Sequence, residues 1–180
     1  YHLASPVGAL GILKRNGYIA REIIDLTYQV AELAIKHQAK LIFVSTSEIY
    51  GYSGKHQESS PKQIPAYKGT RLEYSLGKLL SEEILYNLAL ENSLSYCICR
   101  PFNVFGDKQY SSLGFVIPTF IEHALSNKSL PVFLDGRQER SFCHVKDVAR
   151  GLVAIMNQGI PGEIYNLGNE NNLISIKELA

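Results

Sequence analysis

Much can be excluded by what this sequence lacks. Neither charge is in surplus: 18 Lys and Arg stand against 17 Asp and Glu, mixed along the chain without a run of one sign. That balance argues against nucleic acid or an anionic membrane surface as the partner. No apolar run approaches the ~20 residues of a membrane span, and no secretory leader pattern stands at the start. Cysteine is scarce. Cys97 and Cys99 lie two apart in a β-rich stretch, on one face of a strand and badly placed to bridge each other; Cys143 completes no metal-ligand spacing. Buried free thiols in a reducing, cytoplasmic setting are therefore expected. Neither an internal repeat nor a low-complexity tract is present.

What is present suits one domain: 180 residues, 46% of them hydrophobic. Tyr1 to Pro6 reads as the end of a short strand running into a loop that a ligand can approach. From Ile19, the residues Ile23, Leu26, Val30 and Leu33 recur in steps of four and three, predicting an amphipathic helix that ends near His37. Leu41–Val44 is a short unbroken apolar run, as in a parallel strand buried on both faces. The polar stretch 51–69, rich in Gly, Pro, Ser and Lys, predicts a surface loop over the site. Further helices are expected at Leu72–Ala89, Phe115–Leu125 and Val145–Met156, and strands at Ser95–Arg100, Leu130–Leu134 and Glu163–Leu167. Ser175 and Glu178 have capping-box spacing, so another helix begins there.

Alternating helices and strands imply an α/β fold with a parallel sheet and crossover helices. Ligands of such sheets gather at the carboxyl ends of the strands. Ser45–Glu48 and Phe102–Asn103 both follow predicted strands, and the helix between them starts near Tyr74. Tyr74 and Lys78 are one turn apart and share a helix face. A cation beside a phenol favours the phenolate and turns it into a proton acceptor near neutrality. Such a spacing alone occurs on many helices by chance, and its weight comes from its neighbours.

Those neighbours are His-Leu-Ala-Ser at 2–5, Ser-Thr-Ser-Glu-Ile-Tyr-Gly at 45–51, Tyr-Ser-Leu-Gly-Lys at 74–78, Arg-Pro-Phe-Asn-Val-Phe-Gly at 100–106 and Asp-Gly-Arg-Gln-Glu-Arg-Ser-Phe-Cys-His-Val-Lys-Asp-Val-Ala at 135–149. In that order they resemble the extended short-chain dehydrogenase/reductase family, specifically its NAD-dependent nucleotide-sugar epimerases, dehydratases and decarboxylases. The resemblance implies a Rossmann-like doubly wound parallel sheet, truncated at its N-terminal side. Residues 1–106 would be a partial NAD-binding domain, and 107–180 largely a substrate-binding region with a returning strand. It makes Tyr74 the acid/base, Lys78 the lysine that holds the nicotinamide ribose and lowers the tyrosine pKa, and Thr46 the hydroxyl on the sugar oxygen being oxidised. Leu3, Ala4, Ser5, Ser45 and Pro101 would line the NAD site. Asn103 and Arg140 would meet the substrate diphosphate, and Phe133 would flank the base. No metal is implied, and a homodimer through the two long helices, around Ile19–His37 and Leu72–Ala89, is.

Ser47-Glu48 after Thr46 resembles the decarboxylase pattern, as does His-Leu-Ala-Ser-Pro at 2–6. The implied activity is UDP-glucuronate decarboxylation, with 4-epimerisation or 4,6-dehydration of a nucleotide sugar as alternatives. A non-catalytic dinucleotide-binding protein and a reductase of small carbonyls are the readings from other classes. The chain departs from the family where Ile23 and Leu26 stand at positions usually held by Asn and Gly. It opens on Tyr1 without the Gly-rich phosphate loop and reads as a fragment, which alone is expected to bind NAD poorly.

Overall fold

The computed structural model of the chain describes residues 1–6, 17–51, 55–64, 66 and 69–180. Of the expected loop over 51–69, residues 52–54, 65, 67 and 68 thus lie outside the described residues. In chain order the elements are α1 (Ile19–Lys36), β1 (Leu41–Val44), α2 (Thr70–Asn92), β2 (Tyr96–Pro101) and β3 (Asn103–Phe105). They continue with α3 (Val116–Leu125), β4 (Glu139–His144), α4 (Val145–Gln158), β5 (Ile164–Leu167), β6 (Leu173–Ser175) and α5 (Ile176–Leu179). Ser47–Tyr50 forms a 3-10 turn after β1.

β1, β2 and β5 make a parallel sheet in the order β1-β2-β5. His2 extends it by a parallel bridge to Phe43, its N–H donating to Ile42 O at 2.8 Å. Strand alternation divides the core. Leu41, Phe43, Tyr96 and Ile98 pack under α1 and α2, while Ile42, Cys97 and Cys99 pack against α4 with Cys143. All three cysteines are free and buried, with Cys97 and Cys99 on one face as expected. A second, smaller sheet has the order β3-β4-β6, parallel at β3/β4 and antiparallel at β4/β6. Phe102 alone separates β2 in the first sheet from β3 in the second. The chain returns from β4 through α4 to β5, and a third crossing, from β5 to β6, begins at Gly168, where an added Cβ would lie 3.2 Å from the Phe102 ring.

Two expectations need correction. Leu130–Leu134 is not a strand: Pro131 offers no N–H, Val132 turns back to Leu130 O at 3.0 Å, and Leu134 has a positive φ of 55°. The strand of this region is β4, whose charged start hides it from a hydrophobicity reading. The main sheet is parallel as expected; the antiparallel pair β4/β6 belongs to the second, smaller sheet. On α1 the buried stripe is Ile19, Ile23, Thr27, Ala31 and Ala34, whereas Leu33 is exposed. The cause is close approach by α2, where a Cβ at Gly77 would lie 2.9 Å from Ala20 Cα. Small residues win the contact because bulky ones would hold the helices apart.

The buried face of α2 is largely polar: Tyr74, Lys78, Ser81 and Glu82 are all under a tenth exposed. Arg100, fully buried at the end of β2, makes this possible. Its Nε and Nη2 reach the two Glu82 oxygens at 3.0 and 2.6 Å, and Nη1 reaches Tyr50 Oη at 2.6 Å and Glu58 O at 3.2 Å. Burial alone disfavours the guanidinium charge, but Glu82 and Tyr50 more than compensate, and its pKa lies above the ordinary value. Breaking one side of such a pair costs about 3–5 kcal/mol, whereas replacing both sides by apolar groups is often neutral. Arg100→Met is expected to lose stability in that range by urea unfolding, and Glu82→Leu/Arg100→Met to regain most of it. Equal losses in both variants would show that shape, not charge, holds this junction.

Candidate active site

β1 ends at Val44, and the next four residues turn across the sheet's carboxyl edge. Thr46 caps the 3-10 turn, its Oγ1 accepting from Glu48 N at 3.2 Å. Gly51 closes the turn at a φ of 88°, which a side chain rarely adopts. Thr46 and Glu48 thereby face the first turns of α2. Tyr74 lies beside them, and both the Glu48 charge and the Thr46 hydroxyl bear on the pKa of its phenol.

The electrostatics differ from the expectation. Burial, then the Glu48 charge, pushes Tyr74 up to about 12, against smaller lowering effects from Thr46 and Arg71. Ile19 and Ile23 pack with Tyr74 and supply part of that burial. Lys78 does not lower the phenol's pKa here. Its Nζ donates to Val44 O at 2.8 Å and sits 4.9 Å from the centre of the Phe43 ring. Burial brings Lys78 down to about 8, partly offset by Glu82 one turn on.

Glu48 is raised by burial but pulled back by Arg71, which hydrogen-bonds it, and by the charge of Arg140. Arg71, on the first turn of α2, was not among the residues singled out in the sequence. Its signal was available: it precedes Tyr74 by three, hence lies on the same helix face.

The remaining residues fall in two places. Leu3, Ala4 and Ser5 follow the His2 bridge, with Leu3 and Ala4 exposed, and Ser45 and Pro101 end or follow β1 and β2 in the same sheet. Ser47, partly buried, begins the 3-10 turn. Asn103 and Arg140 lie in the second sheet, where Asn103 Nδ2 donates to Ser141 O at 3.2 Å and Arg140 Nη1 to Glu139 O at 2.7 Å. Phe133 is 75% exposed between α3 and β4. No metal-binding group of His, Cys, Asp or Glu occurs among the described residues.

This edge brings a phenol, two hydroxyls, a carboxylate and a buried amine to the carboxyl ends of a parallel sheet, where the ligands of such sheets gather. The sequence pattern of the NAD dependent epimerase/dehydratase family matches residues 1–168. The chain belongs to that family. It is 34% identical to the UDP-N-acetyl-alpha-D-glucosaminuronate decarboxylase of Bacillus cytotoxicus over 182 residues, covering 100% of this chain and 56% of the relative. With UDP-glucuronic acid decarboxylase 1 of Xenopus tropicalis it shares 31% identity, over 99% of this chain and 43% of the relative. Among solved structures, UDP-glucuronic acid 4-epimerase from Bacillus cereus, in complex with UDP-glucuronic acid and NAD, superposes with a TM-score of 0.85 at 29% identity. That match covers 99% of this chain and 56% of the solved one. The chain thus spans about half the length of the curated relatives it matches.

Members of an NAD-dependent family need a place for the nicotinamide ribose, and this edge fits one. Among the described residues Ser45 Oγ is a buried polar side-chain atom without a hydrogen-bond partner. An orphaned hydroxyl at a strand end is costly unless a ligand satisfies it. Lys78 lies one residue away along β1, at Val44 O, with an ammonium that carries three donors.

The depressed Lys78 pKa has a thermodynamic signature. Between about 8 and 10.5 the unfolded chain keeps the ammonium proton that the folded chain has lost. Stability from this group therefore rises with pH across that window and is flat below it. Urea unfolding at a series of pH values should show the wild type gaining on Lys78→Met from about 8 to 10.5; a constant difference would refute the burial cost.

Proposed function

We propose that the whole protein is an NAD-dependent enzyme acting on a nucleotide-diphosphate sugar through a transient 4-keto intermediate, as a UDP-glucuronate decarboxylase. The observation that carries this is the convergence of Tyr74, Thr46 and Glu48 at the end of β1. A protein that only binds a dinucleotide has no need of a phenol beside a hydroxyl and a carboxylate.

Bound NAD supplies a reversible hydride acceptor and, in its oxidised form, a positive charge that favours the phenolate. Thr46 Oγ1 holds the sugar oxygen, and Tyr74 Oη takes the hydroxyl proton and later returns it. Lys78 and Ser45 hold the ribose side, with Leu3, Ala4, Ser5 and Pro101 lining it. Asn103 and Arg140 meet the diphosphate, for which a guanidinium's fork geometry is suited, and Phe133 flanks the base. Ser47 and Glu48 serve the step that follows ketone formation. Loss of carbon dioxide from the carbon next to the ketone leaves an enolate, which a proton then quenches. The Ser47-Glu48 pair and the likeness to the uronate decarboxylases named above support this outcome. The likeness to a UDP-glucuronic acid 4-epimerase favours 4-epimerisation as the second reading.

A homodimer is proposed through α1 and α2. Tyr28 on α1 and Leu80 on α2 are exposed there and line a groove together with Ile84, Leu88 and the polar Glu83, Asn87 and Glu91. Exposed apolar side chains on neighbouring helices suit a self-complementary interface.

With UDP-glucuronate and NAD, the full-length protein is expected to release carbon dioxide and UDP-xylose. A 4-epimer as sole product would assign the second reading, and a 4-keto-6-deoxy sugar from another nucleotide sugar would make it a dehydratase. In the same assay Tyr74→Phe should lower turnover by about two or more orders of magnitude while sparing substrate binding; unchanged turnover would remove Tyr74 from the chemistry. Sedimentation should give a dimer mass, reduced to the monomer by Leu80→Glu, and a monomeric wild type would refute the interface.

A further inference from the structure

Arg71 is unlike the other cations near this edge. Lys78 is buried, with its amine on Val44 O and over the Phe43 ring, and Arg100 is enclosed by Glu82 and Tyr50. Arg140 stands on the second sheet, its Nη1 on Glu139 O. Arg71 is 42% exposed, and among the described residues its side chain hydrogen-bonds only Glu48, through Nη2 to Oε1. A guanidinium has five donors, so among the described residues most of its bonding capacity is unused.

The turn that carries Arg71 is firmly held. Ser75 Oγ donates back to Arg71 O and Leu72 O, both at 3.1 Å. The Glu73 carboxylate accepts from Gly17 N at 2.8 Å and Ala20 N at 3.2 Å, which ties the start of α2 to the start of α1. The guanidinium therefore projects from a fixed base toward the carboxylate beside Tyr74.

We propose that Arg71 is the specificity-determining residue of this site, the group that accepts a carboxylate on the sugar and disfavours the neutral hexose. The inference rests on the nucleotide-sugar reading above. A sugar carboxylate placed near Thr46 and Tyr74 would meet Glu48, and two carboxylates close together repel unless a cation lies between them. Arg71 already touches one of the two and can fork to the other. A neutral hydroxymethyl group has no charge to set against Glu48, so it gains nothing from the guanidinium. The arrangement also suits release. When the bond to the carboxyl carbon breaks, the electron pair stays on the ring as the enolate, neutral carbon dioxide leaves, and the carbon later takes a proton. Arg71 has then lost its second anion and returns to Glu48.

Calorimetric titration of the full-length protein, with NAD present, compares UDP-glucuronate with UDP-glucose. Arg71→Met should weaken UDP-glucuronate about tenfold or more, the loss of one charge-assisted pair, and change UDP-glucose by less than about twofold. Arg71→Lys, which keeps the charge but not the fork, should recover part of the uronate affinity. A loss shared equally by both ligands, or undiminished uronate binding in Arg71→Met, overturns the role of Arg71. Carbon dioxide release by the wild type in that case leaves the decarboxylase reading standing. A wild type that converts only neutral nucleotide sugars overturns that reading and this inference together.

Discussion

The Arg100–Glu82 pair is the constraint that organises this molecule. β2 must end where β1 also ends, and α2 must lie across both. Each brings polar groups to a place that water does not reach. A single guanidinium there meets α2 through Glu82, the 3-10 turn through Tyr50 and the following loop through the Glu58 carbonyl. Tyr50 passes the connection on to β5, donating to Asn166 Oδ1 at 2.9 Å, and Asn166 N returns to the Glu58 side chain at 2.8 Å. The position of Glu48, two residues before Tyr50, and that of Tyr74, two turns before Glu82, are thus set from one buried centre.

That centre also shapes the charge state of the reactive edge. Glu82 serves Arg100 by direct hydrogen bonds and Lys78 by its field. Lys78 still falls to about 8 because burial outweighs that help, and Tyr74 rises to about 12 because burial and Glu48 outweigh Thr46 and Arg71. In this state the phenol holds its proton and the amine is close to losing one near neutrality. A site with these values is primed for added positive charge, since a cation beside the phenol reverses the balance.

Legibility of the fold followed burial pattern. β1, β2 and β5 sit in the main sheet and read directly as apolar runs, and α1 and α4 as amphipathic helices. α2 was visible as a helix, but its buried stripe of Tyr74, Lys78, Ser81 and Glu82 has no hydrophobic period, so only the motif at 74–78 pointed to its inner face. β3, β4 and β6 were missed because they are short or begin with charged residues, and their partners are distant in sequence. The apolar letters at 130–134 misled, since a proline and a left-handed residue break the strand that hydrophobicity alone suggests. At the site, Thr46, Glu48 and Tyr74 were legible by motif order. Arg71 was not, because its meaning lies in a contact between a helix and a turn 23 residues away.

The two sheets are joined in a way that limits how they can move. One strand passes from the first to the second through Phe102 alone, and a second outward crossing starts at Gly168, packed on that same ring. Phe102 N also donates to Leu167 O at 2.8 Å, so both strands leave the first sheet side by side. Sliding one sheet along the other would tear both crossings at once. The helix α4, which runs from β4 to β5, packs Val148, Leu152 and Ile155 against Cys97 and Cys99 of one sheet and Cys143 of the other, so a twist between the sheets would break that shared core as well.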